Sequence, residues 1–237
     1  MKTLVAGSTG LVGSAIVRAL KESGQEVIEV SSKIVDLTNR EATFNFLQEK
    51  KPDLVIDAAA KVGGIGANNS LPVDFLSVNL QIQTNLMDAA HAAQVEKFIF
   101  LGSSCIYPRQ SPQPIKEEYL LTGPLESTNS AYALAKIAGI ELIKSYRKQY
   151  GHKWISLMPT NLYGPNDNFD LESSHITRSL INRFVTAVDS GIDKVTLWGS
   201  GQVLREFLHV DDLAQAVITA GEKYDGESHL NIGSGKD

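Results

Sequence analysis

The sequence holds a single cysteine, Cys105, so no disulfide can form within the chain. It has no apolar run approaching the ~20 residues of a membrane-spanning helix. The opening Met1 to Gly7 lacks the apolar stretch of a secretory signal. Together these absences predict a cytoplasmic protein with no membrane partner. Basic excess is also missing. Lys and Arg number 22 against 27 Asp and Glu, a net charge of -5, so the charge balance does not call for nucleic acid. The sequence shows no internal repeat, low-complexity run or linker, and no metal site is expected. What remains is an ordinary globular composition, 43% hydrophobic and 21% charged, in 237 residues. That is enough for one large domain, or one with a small lobe.

The stretch from Ser130 to Ile140 organises the rest. It is rich in Ala, Leu and Ile and free of Pro, so it reads as helix. Tyr132 and Lys136 then lie one turn apart on one face. A phenol with an ordinary pKa of about 10 is a poor acid-base group at neutral pH. An ammonium beside it is expected to favour the phenolate and bring it into range.

The N-terminus supplies a second motif. Thr3 to Ala6 reads as a buried strand, followed by Gly7-Ser8-Thr9-Gly10-Leu11-Val12-Gly13 and a helical pattern through Leu20. Strand, glycine turn and helix are the setting of a dinucleotide fingerprint, with the helix N-terminus facing the phosphates. The next strand, Glu26 to Val30, ends in Ser31-Ser32-Lys33, where NAD-binders usually carry an acid. Two hydroxyls and a cation suit a 2′-phosphate, hence NADP(H). A third strand, Asp53 to Asp57, runs into the small residues Ala58, Ala59 and Ala60. Lys61 to Gly66 then reads as a flexible loop, Val73 to Ala93 as helix and Phe98 to Leu101 as a fourth strand. The alternation predicts an α/β fold, a Rossmann-like doubly wound parallel sheet. Ligands are expected beyond the strand C-termini.

The fourth strand leads into Gly102-Ser103-Ser104-Cys105-Ile106-Tyr107-Pro108. A serine hydroxyl at this place completes a Ser-Tyr-Lys set, and the chain resembles the extended short-chain dehydrogenase/reductases. Ala59 to Ile65, Gly102 to Pro108, Met158-Pro159-Thr160-Asn161-Leu162-Tyr163-Gly164-Pro165, and Arg205 to Asp212 look like the GDP-L-fucose synthase family within it. The likeness covers nearly the whole chain. It is most specific at Cys105, and at His175 after Asp167-Asn168-Phe169.

That resemblance implies a 3,5-epimerase and 4-reductase acting on GDP-4-keto-6-deoxy-D-mannose with NADPH. By it, Ser103, Tyr132 and Lys136 are the reductase set, Cys105 the base at C3 and C5, and His175 the acid that returns protons. The physics agrees, since an enolate at C4 can be held by Ser103 and Tyr132, and a thiol near a cation can ionise. NADP(H) is expected at Gly7, Thr9, Gly10, Leu11, Val12, Gly13, Ser31, Lys33, Asp36, Ala58, Ala59, Ala60, Tyr132, Lys136, Pro159, Asn161, Leu162 and His175. The GDP-sugar is expected at Ser103, Asn161, Arg183, Trp198 and Arg205. His209, beside two acids, is expected to make a structural hydrogen bond.

The resemblance also implies a homodimer, packed through the helices at Val73–Ala93 and Ser130–Tyr150. Bacterial members carry Arg where Thr9 stands, and another near Ser31. Members also continue for several tens of residues past Asn231 to Gly235. The expected organisation is therefore an NADP-binding domain over 1–165 and an incomplete substrate lobe over 166–237, partly interleaved with the first. Another nucleotide-sugar epimerase, dehydratase or reductase is an alternative. Dehydratases place an acidic pair where Ser104-Cys105 stands, which counts against that one. A non-catalytic cofactor-binding protein is the alternative from another class.

Overall fold

A computed structural model describes residues 1–167, 176–197 and 201–235, the side chains of 176–179 excepted. Six parallel strands form one sheet. They are β1 (Lys2–Ala6), β2 (Glu26–Val30), β3 (Leu54–Asp57), β4 (Lys97–Leu101), β5 (Ile155–Pro159) and β8 (Leu230–Ile232). Their order across the sheet is β2-β1-β3-β4-β5-β8. Two short strands, β6 (Asn161–Tyr163) and β7 (Phe207–His209), pair separately beyond the sheet. The helices are α1 (Leu11–Glu22), α2 (Arg40–Lys50), α3 (Ile65–Ser70), α4 (Pro72–Ala92), α5 (Ser130–Tyr150), α6 (Ile176–Asp189) and α7 (Val210–Lys223). The expected doubly wound fold is present, and its four N-terminal strands fall where the sequence puts them. The expected flexible loop is shorter, because Ile65 already begins α3.

Strand parity builds two cores. Leu4, Val55, Phe98 and Phe100 face the layer that also holds Leu47, Leu86, Met87 and Ile140 from α2, α4 and α5. Val5, Leu54, Ile56, Ile99 and Leu101 face the opposite layer, with Ile16 and Leu20 of α1 and Leu213 and Val217 of α7. Such continuous apolar strands are what a sheet covered on both faces requires. Local chemistry sets the helix ends. The Asn39 side chain accepts from the Ala42 N–H to start α2, and left-handed Lys51 before Pro52 ends it.

Register fixes where the strands stop. Ala6 pairs with Val30 on one side and Asp57 on the other, so Gly7, Ser31 and Ala58 emerge side by side. Chain order reverses between β1 and β3, making this rim the switch point where such sheets bind ligands. The last two sheet strands and α7 come from the second half. Within 210–232, α7 packs on the six-stranded sheet and β8 joins its edge.

Phe100 supports α5 from below. It is fully buried, and its ring lies directly under the backbone of Gly139. Removing the ring leaves a cavity beneath the helix that carries Tyr132 and Lys136. Phe100→Ala should cost about 3–5 kcal/mol, which corresponds to roughly 10 °C in thermal midpoint for a chain of this size. A fall of under about 2 °C by calorimetry would show that α5 does not depend on this support.

Candidate active site

The glycine turn is shaped by close contacts. Gly7 has φ +76, and a Cβ there would lie 2.6 Å from the Ala58 carbonyl oxygen. A Cβ on Gly13 would lie 2.1 Å from the Gly7 carbonyl oxygen. The Gly10 N–H donates to that same oxygen at 3.0 Å. Helix α1 then starts with Gly10 as its cap residue, with no side chain capping it and no acid in its first turn. Its free N–H groups and positive dipole end are therefore open to an anion. This donor set, at the switch point, fits the diphosphate of a dinucleotide. Ser8 ties the turn to β2 through its hydroxyl and N–H, both donating to the Val30 carbonyl at 3.1 and 2.9 Å. Beyond β2, Ser31 is half-buried and Lys33 exposed. Asp36 accepts from the Thr38 N–H and hydroxyl at 2.9 and 2.7 Å, and the hydroxyl bond chiefly lowers its pKa.

Across the rim, β4 ends at Leu101 and the chain turns through Ser103 into a short 3₁₀ turn, Ser104–Ile106. The Ser103 hydroxyl accepts the Cys105 N–H at 3.4 Å, and α5 packs against this turn. Tyr132 is half-buried near the start of α5, its ring edge-on to Phe75. Lys136 is buried, with 3% of its surface exposed. Its amine donates to the Leu101 carbonyl at 2.9 Å and sits 4.7 Å above the Phe100 ring centroid. Ser103, Cys105, Tyr132 and Lys136 thus come from two segments brought to one end of the sheet.

Two expectations about charge are corrected. The Tyr132 phenol is held above its usual range, first by burial and then by the negative charges Cys105 and Asp57 can carry. Lys136 does not counter this, because its amine is turned toward Leu101 and lies 5.8 Å from the Tyr132 ring centroid. Tyr132 is therefore a phenol ready to donate a proton. The Cys105 thiol is likewise pushed up, to about 11, because burial outweighs its Ser103 hydrogen bond and the Lys136 charge. Lys136 itself is shifted down by burial, while Asp57 and then Cys105 favour its charge.

The profile of the NAD dependent epimerase/dehydratase family matches residues 3–233. The chain belongs to this family. The GDP-L-fucose synthase 1 of Arabidopsis thaliana is 54% identical over 237 residues, covering 100% of this chain and 73% of that one. The GDP-L-fucose synthase of Escherichia coli is 46% identical, covering 100% of this chain and 77% of its own length. A GDP-L-fucose synthetase of Naegleria fowleri, solved bound to NADP, superposes with a TM-score of 0.87 at 33% identity. That superposition covers 98% of this chain and 76% of that one.

Other members of the family motifs occupy the second half. Pro159 ends β5, and the Asn161 amide donates to the Glu206 carbonyl at 3.0 Å. Arg183 donates to the Thr196 carbonyl and Arg205 to its neighbour Leu204. Both guanidinium groups thus rest on local backbone. His175 and Trp198 lie outside the described residues. His209 does make a structural bond, accepting the Asp211 N–H at 3.2 Å to cap α7.

Three features that hold the site carry no role in the sequence motifs. Tyr107, two residues past Cys105, donates its hydroxyl proton to the Asn231 side-chain oxygen, and its hydroxyl oxygen accepts from His229 Nε2 at 2.9 Å. This clamps the serine-cysteine turn to β8, and burial keeps His229 on the neutral side of its range. Asn79 accepts the Lys61 N–H at 2.8 Å and donates to the Lys61 carbonyl at 3.0 Å, fixing the loop after β3. Asp57 ends an otherwise apolar strand and is completely buried. The signal for Asp57 was in the sequence, as a charge where the strand pattern calls for an apolar residue.

Cys105 is the only thiol, so a disulfide reagent reads it alone. With its pKa pushed to about 11, labelling of the folded protein should still climb with pH between 9 and 10. The rise should be about tenfold per unit, as expected well below a thiol's pKa. A rise of less than about twofold over that unit in stopped-flow labelling would mean the thiol keeps its ordinary acidity.

Proposed function

We propose that this chain converts GDP-4-keto-6-deoxy-D-mannose to GDP-L-fucose, by epimerising C3 and C5 and reducing the C4 ketone. The observation that carries this is the 54% identity along the whole chain to a GDP-L-fucose synthase, with a Ser-Cys turn and a Tyr-Lys helix meeting at the rim. NADPH, when bound, supplies the hydride for C4. It would be held by the turn Gly7, Thr9, Gly10, Leu11, Val12 and Gly13, by Ser31, Lys33 and Asp36, and by Ala58, Ala59, Ala60, Pro159, Asn161 and Leu162. The residues 1–165, with α7 and β8, make the cofactor half. The remainder of 166–237, including α6 and β7, makes the substrate half, with Asn161, Arg183, Trp198 and Arg205 toward the GDP-sugar.

Each side chain then has a definite task. The Ser103 hydroxyl and the Tyr132 phenol hydrogen-bond the C4 oxygen, which makes the neighbouring C3 and C5 protons acidic by stabilising the enolate. Cys105, as thiolate, removes those protons, and His175 returns them on the opposite face. The raised pKa of Cys105 means the working thiolate is a minor and therefore strong base. In the reduction Tyr132 gives its proton to the C4 oxygen, the form that burial already favours. The reading also includes a homodimer through the outer faces of α4 and α5, where Val73 and Leu134 are exposed apolar residues.

The test is incubation with GDP-4-keto-6-deoxy-D-mannose and NADPH in deuterated water, followed by NMR. Wild type should place deuterium at C3 and C5 and yield GDP-L-fucose. Tyr132→Phe should lose at least about a hundredfold in NADPH oxidation, the usual scale of a positioned acid. Cys105→Ser should bind NADPH and fail to exchange, because a hydroxyl barely ionises. Exchange at the wild-type rate in Cys105→Ser would sink the epimerase part and leave a simple keto-sugar reductase. For the assembly, sedimentation equilibrium should give twice the mass of 25.7 kDa. A monomer at micromolar concentration would refute the dimer.

A further inference from the structure

Asp57 has an unusual position for a carboxylate. It is the last residue of β3 and has no exposed surface. Parity places its side chain on the same face as Val55, toward the layer under α4 and α5. Its register partner on β4 is Phe100, on whose ring the Lys136 amine rests. One carboxylate oxygen, Oδ1, accepts the Ala59 N–H at 3.1 Å. The other, Oδ2, is buried with no hydrogen-bond partner among the described residues. Burying a carboxyl with a free lone-pair edge is costly, so a sequence that merely needed to fill this layer would place an apolar residue at this position.

We propose that Asp57 is a positioning residue for the reductase step: its buried carboxylate, beside Phe100 on the same face of the sheet and without a direct ion pair, favours through space the ammonium form of Lys136 over the Phe100 ring. The inference rests on the reading of Lys136 as part of the catalytic set. Among the charged groups acting on it, Lys136 of α5 is the cation, and Tyr132 of the same helix is the further titratable group. Lys136 has the opposite problem, a buried charge whose hydrogen bond goes to a neutral acceptor, the Leu101 carbonyl. Each charge lowers the cost of burying the other and offsets only part of it. Desolvation raises the Asp57 pKa to about 6, so the carboxyl is ionised at and above neutral pH and protonated in mild acid. Its charge favours the ammonium form of Lys136 and the phenol form of Tyr132. Removing it should lower both pKa values, and the Lys136 ammonium is the form the site loses as pH rises, since burial alone keeps Tyr132 a phenol.

Two measurements test this, one independent of turnover. Thermal midpoints at pH 8 are compared for wild type, Asp57→Asn, Lys136→Met and the double variant. Lys136→Met strands an ionised carboxylate, so the midpoint should fall by roughly 10 °C. In the Asp57→Asn background the same change should cost less than half as much. Sign and window follow from the raised pKa. Ionised Asp57 destabilises the fold, an effect absent below its unfolded value of 3.8 and complete above about 6. Asp57→Asn should therefore gain on wild type from pH 4 to pH 7. Additive midpoints would overturn the pairing even if the chain turns over no keto-sugar.

The second measurement is the pH profile of NADPH oxidation. At pH 5 wild-type Asp57 is mostly protonated, so Asp57→Asn should run close to wild type there. The gap should widen by about fivefold or more up to pH 9, where the loss of the Lys136 ammonium shows most. A gap that is the same at every pH is the mark of a merely structural residue and would overturn the proposal, whereas an inactive wild type would instead refute the functional reading.

Discussion

A lysine held in the interior is the constraint around which this molecule is arranged. The Lys136 amine lies between a helix and the end of a strand, donating to the Leu101 carbonyl and resting on the Phe100 ring. A buried ammonium is expensive unless its surroundings supply negative charge and acceptors. Strand β4 provides the carbonyl, strand β3 the Asp57 carboxylate, and the aromatic face a further favourable contact. The same arrangement fixes α5 against the sheet and so places Tyr132 opposite the serine-cysteine turn.

Burial explains the electrostatics of the whole rim. Tyr132, Cys105 and Asp57 all have pKa values raised first by desolvation, and that of Lys136 is lowered for the same reason. In each case the neutral form is favoured before any partner is considered. The site holds the phenol protonated, which is the form an acid needs. It holds the thiol protonated too, which makes its thiolate scarce and strongly basic. Reduction and epimerisation thus place opposite demands on neighbouring groups in one desolvated space.

Support for this rim comes from far along the chain. The serine-cysteine turn is clamped by Tyr107 to His229, just before β8, and to Asn231 within it, more than a hundred residues away. The Asn231 N–H in turn donates to Glu117 at 2.9 Å, and its side-chain amide to the Ile115 carbonyl at 3.1 Å. At the other end of the rim Asn166 reaches Ser14 of α1 at 3.1 Å. Segments from the second half of the chain are therefore built against the N-terminal sheet and its glycine turn.

The sequence by itself determined the glycine turn, the first four strands, the Tyr-Lys helix and the family. Each is written in local spacing: glycines where a Cβ has no room, apolar runs the length of a buried strand, two reactive residues one turn apart. Strands β5 and β8 were not legible as strands of this sheet, because pairing depends on partners distant in sequence. Only the tertiary structure decided the acidities. Spacing put Lys136 beside Tyr132, and from spacing alone the phenol should be more acidic. Packing turned the amine toward Leu101 and desolvated the phenol, which reversed the sign. Asp57 shows the same division. Its letter is visible in the strand, but its place beside Phe100, on which Lys136 rests, exists only once β3, β4 and α5 share one face of the sheet.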